Sequence, residues 1–151
     1  MSLAFLLMKP FTFRSNIAIA DIAFYAYGKT PEQLIINACH AVTEAMVRRD
    51  KIGKKEKIEF SKKSETLEDL LYSVLEEIIY LKDAKQLVFH NFKIKEIQTD
   101  QPPYLVKMEI AGEKIDHKKH ESHSDVKAVT YYDYYVEKTG DGYKASVILD
   151  V

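Results

Sequence analysis

The hydrophobic periodicity of the chain changes after Lys82 and Asp83, and this change limits the folds open to it. Two helical patterns alternate with short strand-like runs before that point, and apolar residues then recur mainly at every second position. Consecutive strands after helices are typical of the α+β class, so we expect two helices packed on a mostly antiparallel or mixed β-sheet. The late strands are predicted at 87–97, 104–112, 126–136 and 143–151.

The first helix has a recognisable beginning and end in the sequence. Thr30 stands before a proline and is the predicted N-cap, and Gln33 completes a capping-box pattern. Arg48 and Arg49 are expected in the last turn, where cations complement the helix dipole, and Gly53 is the expected stop.

The second helix is predicted to begin near Ser64 or Thr66. Its apolar positions form a wide stripe, which is more typical of a buried core face than of a cofactor groove. The stripe consists of Leu67, Leu70, Leu71, Val74, Leu75, Ile78 and Ile79. The lysine-rich stretch between the helices, 51–63, is interpreted as a solvated edge around a short strand at 57–60.

Length and composition are those of one domain without covalent crosslinks. The chain has 151 residues and a formal net charge of −1, so bulk electrostatics point neither to nucleic acid nor to an anionic membrane. It has no apolar run of about 20 residues, which is the length that a transmembrane helix needs. The single cysteine, Cys39, predicts a packing residue and a reducing cytoplasm. We expect an N-terminal extension at 1–10 and one domain at 11–151.

Two aspartates stand out by their positions. Asp21 lies in the apolar run 17–24, and Asp150 is the penultimate residue, before Val151. An acid among apolar residues is costly to bury without a partner, and a hard cation is a suitable partner because it prefers carboxylate oxygens. The two acids form one anionic site only if the first and last strands lie side by side, which spacing alone does not show.

Three other groups of residues have open alternatives. His117, His120 and His123 permit a zinc site, but their spacing fits no standard finger, and a solvated or hydrogen-bonded loop is favoured. Lys127 is either an edge charge or a cation directed at a phosphate or at a partner's acid. Four tyrosines could stack on RNA bases, although a structural role in a strand is favoured. They are Tyr131, Tyr132, Tyr134 and Tyr135.

Several motifs, taken in order, resemble those of the archease family across nearly the whole chain. The family's N-terminal signature resembles two pieces of this chain, Ala-Asp-Ile at 20–22 and Tyr-Gly-Lys-Thr at 27–30. The most specific pieces are Lys-Ala-Val-Thr-Tyr at 127–131 and the ending Leu-Asp-Val at 149–151. Two family histidines are replaced here, by Ala18 and Tyr132, which argues against a role in proton transfer but leaves the carboxylates and the lysine in place.

The resemblance implies a small cytosolic, non-catalytic protein that assists an RtcB-type RNA ligase in tRNA splicing and RNA repair. It implies that the protein speeds guanylylation of the ligase, which uses GTP and a divalent metal, and restores multiple turnover. The implied metal ligands are Asp21, Asp150 and a main-chain oxygen of Val151, and the implied functional lysine is Lys127. Oxygen ligands favour calcium, magnesium or manganese, and calcium is the first expectation.

Two rival functions remain open from the residues. The tyrosines and the lysine-rich stretch permit a tRNA-binding or chaperone-like module for an RNA-modifying enzyme, whereas under the leading interpretation tRNA is reached only through the ligase. A small metal hydrolase ranks last, since no nucleophile and base pair is visible. The residues leave the oligomeric state open.

Overall fold

The computed structural model of the protein describes residues 9–14 and 21–151. Within these ranges it contains helix α1 (Pro31–Met46), a 3-10 turn (Arg49–Lys51) and helix α2 (Leu67–Lys85). The strands before α2 are β1 (Phe11–Arg14), β2 (Asp21–Gly28) and β3 (Glu56–Ser64). The strands after it are β4 (Leu87–Gln98), β5 (Tyr104–Lys114), β6 (Ala128–Val129), β7 (Tyr135–Lys138) and β8 (Tyr143–Asp150).

The strands form two antiparallel sheets. One has the order β1-β2-β8-β6, with β7 also paired to β8, and the other has the order β3-β5-β4. The predicted α+β class with two helices is therefore confirmed, but the strands are divided between two sheets. Strands β3, β4 and β5 are consecutive in the chain and form the smaller sheet, and the strands before and after them form the larger sheet.

One apolar core connects both sheets and both helices. Phe24 of β2 and Val147 and Leu149 of β8 lie on the inner face of the larger sheet and are fully buried. The stripe of α2 predicted to be core is buried, apart from the partly buried Leu67 at its start. Cys39 is buried in the same cluster as a packing residue.

Helix α1 begins as predicted but ends earlier. The Thr30 hydroxyl accepts a hydrogen bond from the Gln33 amide, as expected of an N-cap. The helix stops at Met46, so the prediction that Arg48 and Arg49 lie in its last turn is wrong. Val47 is instead extended and pairs with Ser122, so a tertiary contact ends the helix before the arginines.

The last carbonyl groups of α1 are satisfied by a distant segment. His123 donates from its amide to the Met46 carbonyl at 2.8 Å, and Ser124 donates to the Ala45 carbonyl at 3.1 Å. These bonds provide what a C-terminal cap normally provides. Gly53, the expected stop, instead lies beyond the 3-10 turn and donates to the Glu113 carboxylate.

Helix α2 and the strands that flank it follow the predictions closely. Thr66 is the N-cap, with its hydroxyl accepting from the Asp69 amide. Strand β3 is longer than predicted and lies at the edge of its sheet, which agrees with a solvated, lysine-rich edge.

The long strand predicted at 126–136 is wrong. Only Ala128–Val129 and Tyr135–Lys138 are strands, and the residues between them form a turn. Asp133 in this turn adopts a left-handed backbone with φ 52°, which interrupts any strand. Both short strands pair with β8, one after the other along its edge.

No helix in the described ranges is sufficiently long and apolar to cross a membrane. The predicted extension at 1–10 lies mostly outside the described residues. Ala18 and the whole first half of the run 17–24 also lie outside them. The proposed boundary at residue 11 therefore stays a prediction.

Candidate functional site

Strands β2 and β8 bring the two aspartates together. The antiparallel register pairs Asp21 with Asp150 directly and continues without interruption to Gly28 and Tyr143. Residues that are directly opposite in an antiparallel pair project on the same face, with Cβ atoms about 4.5–5.5 Å apart. The condition for one shared anionic site, that the strands carrying Asp21 and Asp150 lie side by side, is therefore met.

Burial of the apolar residues determines on which face the acids lie. Phe24 pairs with Val147, and both are buried against the helices. Because side chains alternate along a strand, Asp21 and Asp150 project from the opposite face. A slip of one residue in either strand would turn the aspartate of that strand toward the core, so the hydrophobic pattern strongly specifies this register. Asp21 is partly buried and Asp150 is exposed.

Strand β6 adds Lys127 at the same end of the sheet. Ala128 pairs with Asp150 on the side of β8 opposite to β2. The Lys127 amide donates to the Asp150 carbonyl at 2.8 Å, and its side chain is exposed. Val151 follows Asp150 and packs partly against the core. All four residues implied by the resemblance therefore lie at one end of one sheet.

Helix α2 holds the segment that carries Lys127. The Lys82 ammonium donates to the Asp125 carboxylate at 2.8 Å and to the Val126 carbonyl at 2.7 Å. Six residues earlier in the helix, Glu76 accepts a hydrogen bond from the Val129 amide at 3.0 Å. Sequence reasoning did not identify these positioning residues. The sequence does contain one indication of the role of Lys82. It continues the apolar stripe four residues after Ile78, although its side chain is charged.

The acids at this end of the sheet differ in whether a described cation pairs with them. The hydrogen bond from Lys82 and, to a smaller extent, the charge of Lys127 lower the pKa of Asp125. The Asp21 and Asp150 side chains take part in no hydrogen bond or ion pair with any residue in the described ranges. Two adjacent carboxylates that no cation of residues 9–14 or 21–151 pairs with, next to main-chain oxygens, form a donor set suited to a hard cation.

The histidine loop does not form a metal site. His117 contacts the Ser122 hydroxyl at 3.1 Å, whereas His123 contacts the Glu44 carbonyl at 2.8 Å. No group of three or more His, Cys, Asp or Glu side chains among the described residues is arranged to hold a metal. The favoured interpretation of a hydrogen-bonded loop agrees with these contacts.

His120 shapes this loop from inside. Its Nδ1 accepts a hydrogen bond from the Asp116 amide at 2.9 Å, and its Nε2 lies 3.2 Å from the Glu113 carboxylate. The first bond requires a lone pair on Nδ1, so the proton is on Nε2 and is donated to Glu113. Lys119 also donates to this carboxylate, which is 6% exposed.

The tyrosines divide into two kinds. Tyr134 is partly buried, and its hydroxyl donates to the Glu68 carbonyl at 2.6 Å, as a structural residue would. Tyr131 and Tyr132 are 71% and 79% exposed in the turn after β6. The favoured structural interpretation therefore fits Tyr134, whereas Tyr131 packs with one face only, on Tyr72, and both Tyr131 and Tyr132 stay exposed.

Sequence comparisons identify relatives over most of the chain. The profile of the Archease protein family (MTH1598/TM1083) matches residues 13–151. Archease of Pyrococcus furiosus is 41% identical over 133 residues, which are 87% of this chain and 93% of that protein. Archease of Methanosarcina barkeri is 37% identical over 132 residues, which are 87% of this chain and 90% of that protein.

Solved structures share the fold. The solution structure of protein 1598 of Methanobacterium thermoautotrophicum matches with a TM-score of 0.81 at 31% identity and covers 95% of this chain and 100% of that chain. The crystal structure of an archease from Thermotoga maritima, described as a possible chaperone, matches with a TM-score of 0.60 at 24% identity and covers 93% of this chain and 98% of that chain. The second match supports the fold alone. On the family profile and these relatives, the chain belongs to the archease family.

Proposed function

We propose that this archease is a non-catalytic activator of an RtcB-type RNA ligase and acts through a divalent cation, calcium first. Asp21, Asp150 and a main-chain oxygen of Val151 are the proposed ligands, and Lys127 is the proposed activating residue. The observation that carries the proposal is the direct pairing of Asp21 with Asp150 in a chain of this family.

The energetics of the strand pair support a bound cation. Like charges directly opposite each other on antiparallel strands destabilise the pair. Asp21 and Asp150 are so placed, and no described residue offsets them with a side-chain cation. Hard cations take six to eight oxygen ligands, so two carboxylates and one carbonyl leave positions for water or for groups of a partner.

The proposed chemistry follows from an incomplete coordination shell. A divalent cation held there would supply positive charge to phosphate oxygens of GTP or to a partner's carboxylate. Lys127 lies beside it on the sheet edge and offers a compact ammonium to charge that develops on a phosphate. Lys82 orients this segment, so it acts as a positioning residue.

The test is ligase guanylylation with and without the archease, measured as label transferred from GTP and as ligation turnovers per ligase. We expect the intact protein to raise both the rate and the turnover number. Asp150→Asn and Lys127→Ala should each remove most of the stimulation, because each substitution removes a charge from the site and leaves the core unchanged.

Two matched variants control for non-specific charge effects. Asp141→Asn removes an exposed acid at the opposite end of β8, and Lys93→Ala removes an exposed cation from the other sheet. Both should retain full stimulation. If the intact protein changes neither rate nor turnover, the proposal is wrong. If the control variants lose as much stimulation as Asp150→Asn and Lys127→Ala do, the stimulation does not depend on this site.

A second candidate function, tRNA binding, is favoured by one observation. Arg48, Lys51, Lys118 and Lys119 line a concave surface of about 370 Å³ that also contains Glu121. Lys51 and Lys118 form no ion pair with any described residue. A concave basic surface formed from two separate segments is suited to a phosphate backbone.

Filter binding of tRNA across a salt series separates the two functions. Direct binding predicts a steep loss of affinity with salt, and the paired substitutions Lys51→Ala and Lys118→Ala should lower the slope by about two phosphate contacts. Lys93→Ala is the matched control. Absence of tRNA binding by the isolated protein would leave the ligase as the route to tRNA.

A further inference from the structure

Tyr131 and Tyr132 are adjacent aromatic side chains that stay exposed on the surface. Their exposed fractions are 71% and 79%, and they follow β6, which pairs with Asp150. Single exposed apolar residues are normal, but adjacent exposed aromatics are typical of surfaces that bind a partner.

The ring of Tyr131 is held in place before any partner binds. It stacks on Tyr72 with ring centroids 4.2 Å apart and an interplanar angle of 7°. Tyr72 is anchored by its hydroxyl, which donates to the Val129 carbonyl at 2.7 Å, and by the edge of Tyr134 at 5.4 Å. The inner face of Tyr131 is therefore covered and its outer face is presented, so little conformational entropy is lost on binding.

Helix α2 places acidic residues beside these rings, because Glu76 accepts from the Val129 amide and Tyr134 donates to the Glu68 carbonyl. The nearby cation Arg14 is already paired with Asp133, the residue after Tyr132, at 3.1 Å. Burial and then the charge of Glu76 raise the pKa of Tyr72, and burial and then Glu68 and Asp69 raise the pKa of Tyr134. Glu68 and Asp69 are exposed. Negative charge repels the phosphate backbone of RNA, so the aromatic surface does not suit nucleotide stacking in spite of its tyrosines.

The same charges suit a planar cation. An arginine side chain stacks on an aromatic face and can also form hydrogen bonds with carboxylates at its edge. Tyr131 supplies a fixed aromatic face, and Glu68, Asp69 and Glu76 supply the acids. Tyrosine and arginine are also among the residues that contribute most to protein interfaces.

We propose that Tyr131 and Tyr132, together with Glu68, Asp69 and Glu76, form a docking surface for a protein partner that presents arginine. This inference rests on the proposed function, under which the partner is the ligase. Docking here would bring the partner against the end of the sheet that carries Lys127 and Asp150, because both groups flank the short strand β6.

The experiment measures binding of the ligase to the full-length archease by biolayer interferometry at several salt concentrations. The variants are Tyr131→Ala and Tyr132→Ala, alone and together, with Tyr131→Phe retaining the stack. Tyr80→Ala is the matched control, since Tyr80 is an exposed tyrosine on the same helix as Tyr72. We expect the double variant to bind about 30-fold more weakly and the phenylalanine and control variants to bind as the wild type does.

Charge is tested separately with Glu68→Gln combined with Asp69→Asn. This variant should bind more weakly at low salt and show a smaller salt dependence, because it lacks two of the acids assigned to arginine. Tyr132→Ala should keep its thermal midpoint and its calcium binding, because this ring has no ring contact with a described residue. Weaker docking by this variant is then a loss of binding and not a loss of folding.

The outcomes distinguish this inference from the function on which it rests. Wild-type affinity in the double tyrosine variant would overturn the docking surface and leave ligase activation standing. A wild-type protein that does not bind the ligase would overturn both. Tyrosine-dependent binding of tRNA, or tyrosine-dependent self-association in light scattering, would overturn the arginine assignment in favour of RNA or a second copy.

Discussion

Glu113 is a buried carboxylate that organises the loop between β5 and β6. It accepts hydrogen bonds from the Gly53 amide and from Lys119, and the His120 ring donates to it. The Lys119 bond and then the Gly53 bond lower its pKa from 4.5 to about 2. This one residue therefore joins the segment after α1 to the histidine loop, and the sequence alone gives no sign of that role.

At the residue scale, we predict that Glu113→Gln destabilises the protein by about 1.5–3 kcal/mol at pH 7, the usual cost of losing hydrogen bonds to a charged group. A carboxyl whose pKa is lowered on folding stabilises the native state above its unfolded pKa. The difference between wild type and variant should therefore be complete above about pH 4.5 and shrink as the pH falls toward 2.

Urea unfolding from pH 2 to pH 7 measures this difference. Glu109→Gln is a control on the same strand, because Glu109 is only partly buried and forms no ion pair with a described residue. A Glu113→Gln deficit that stays constant with pH would contradict the assigned cause.

At the element scale, β6 is short because tertiary contacts and not strand propensity hold it. Its two residues pair with β8, while α2 holds the chain on either side through Lys82 and Tyr72. The sequence pattern from 126 to 136 is that of a long strand, yet the left-handed Asp133 and the anchored tyrosines turn the chain away. Strand periodicity alone did not predict the turn, because the contacts that hold it come from α2.

We predict that Lys82→Met costs about 1–3 kcal/mol of stability, because the buried Val126 carbonyl loses its donor. Lys85→Met on the same helix is exposed and should have little effect. Chemical denaturation of both variants measures the difference. Equal costs would indicate a general effect of helix charge and would contradict the specific contact.

The N-cap of α1 gives a second prediction for an element. Thr30→Ala removes the acceptor for the Gln33 amide and should cost about 1 kcal/mol. Thr30→Ser retains the hydroxyl and should restore most of that stability. The measurement is the shift of the urea midpoint at constant m-value.

At the scale of the whole molecule, calcium should stabilise the fold if the paired acids bind it. At a calcium concentration about 100 times the Kd, linkage predicts a gain of about 2.7 kcal/mol, or a rise of roughly 5–10 °C in Tm for a chain of this size. Differential scanning fluorimetry with calcium, magnesium and manganese measures the shift and ranks the metals.

Two variants make this prediction specific. Asp150→Asn should lose the calcium-dependent shift and, without calcium, should be at least as stable as the wild type because the repulsion from Asp21 is relieved. Asp141→Asn should keep the whole shift. A shift of equal size in Asp150→Asn would place the cation elsewhere.

The sequence by itself determined the α+β class, the Thr30 N-cap of α1, the start of α2 to within a few residues and the buried stripe of α2. Those features depend on interactions within a few residues along the chain, so local patterns report them. Only the tertiary structure decided where α1 ends, how the strands divide between two sheets and that Asp21 lies opposite Asp150. Each of these depends on contacts between segments far apart along the chain, and the register of the two acids follows from burying Phe24 against Val147, which no local pattern contains.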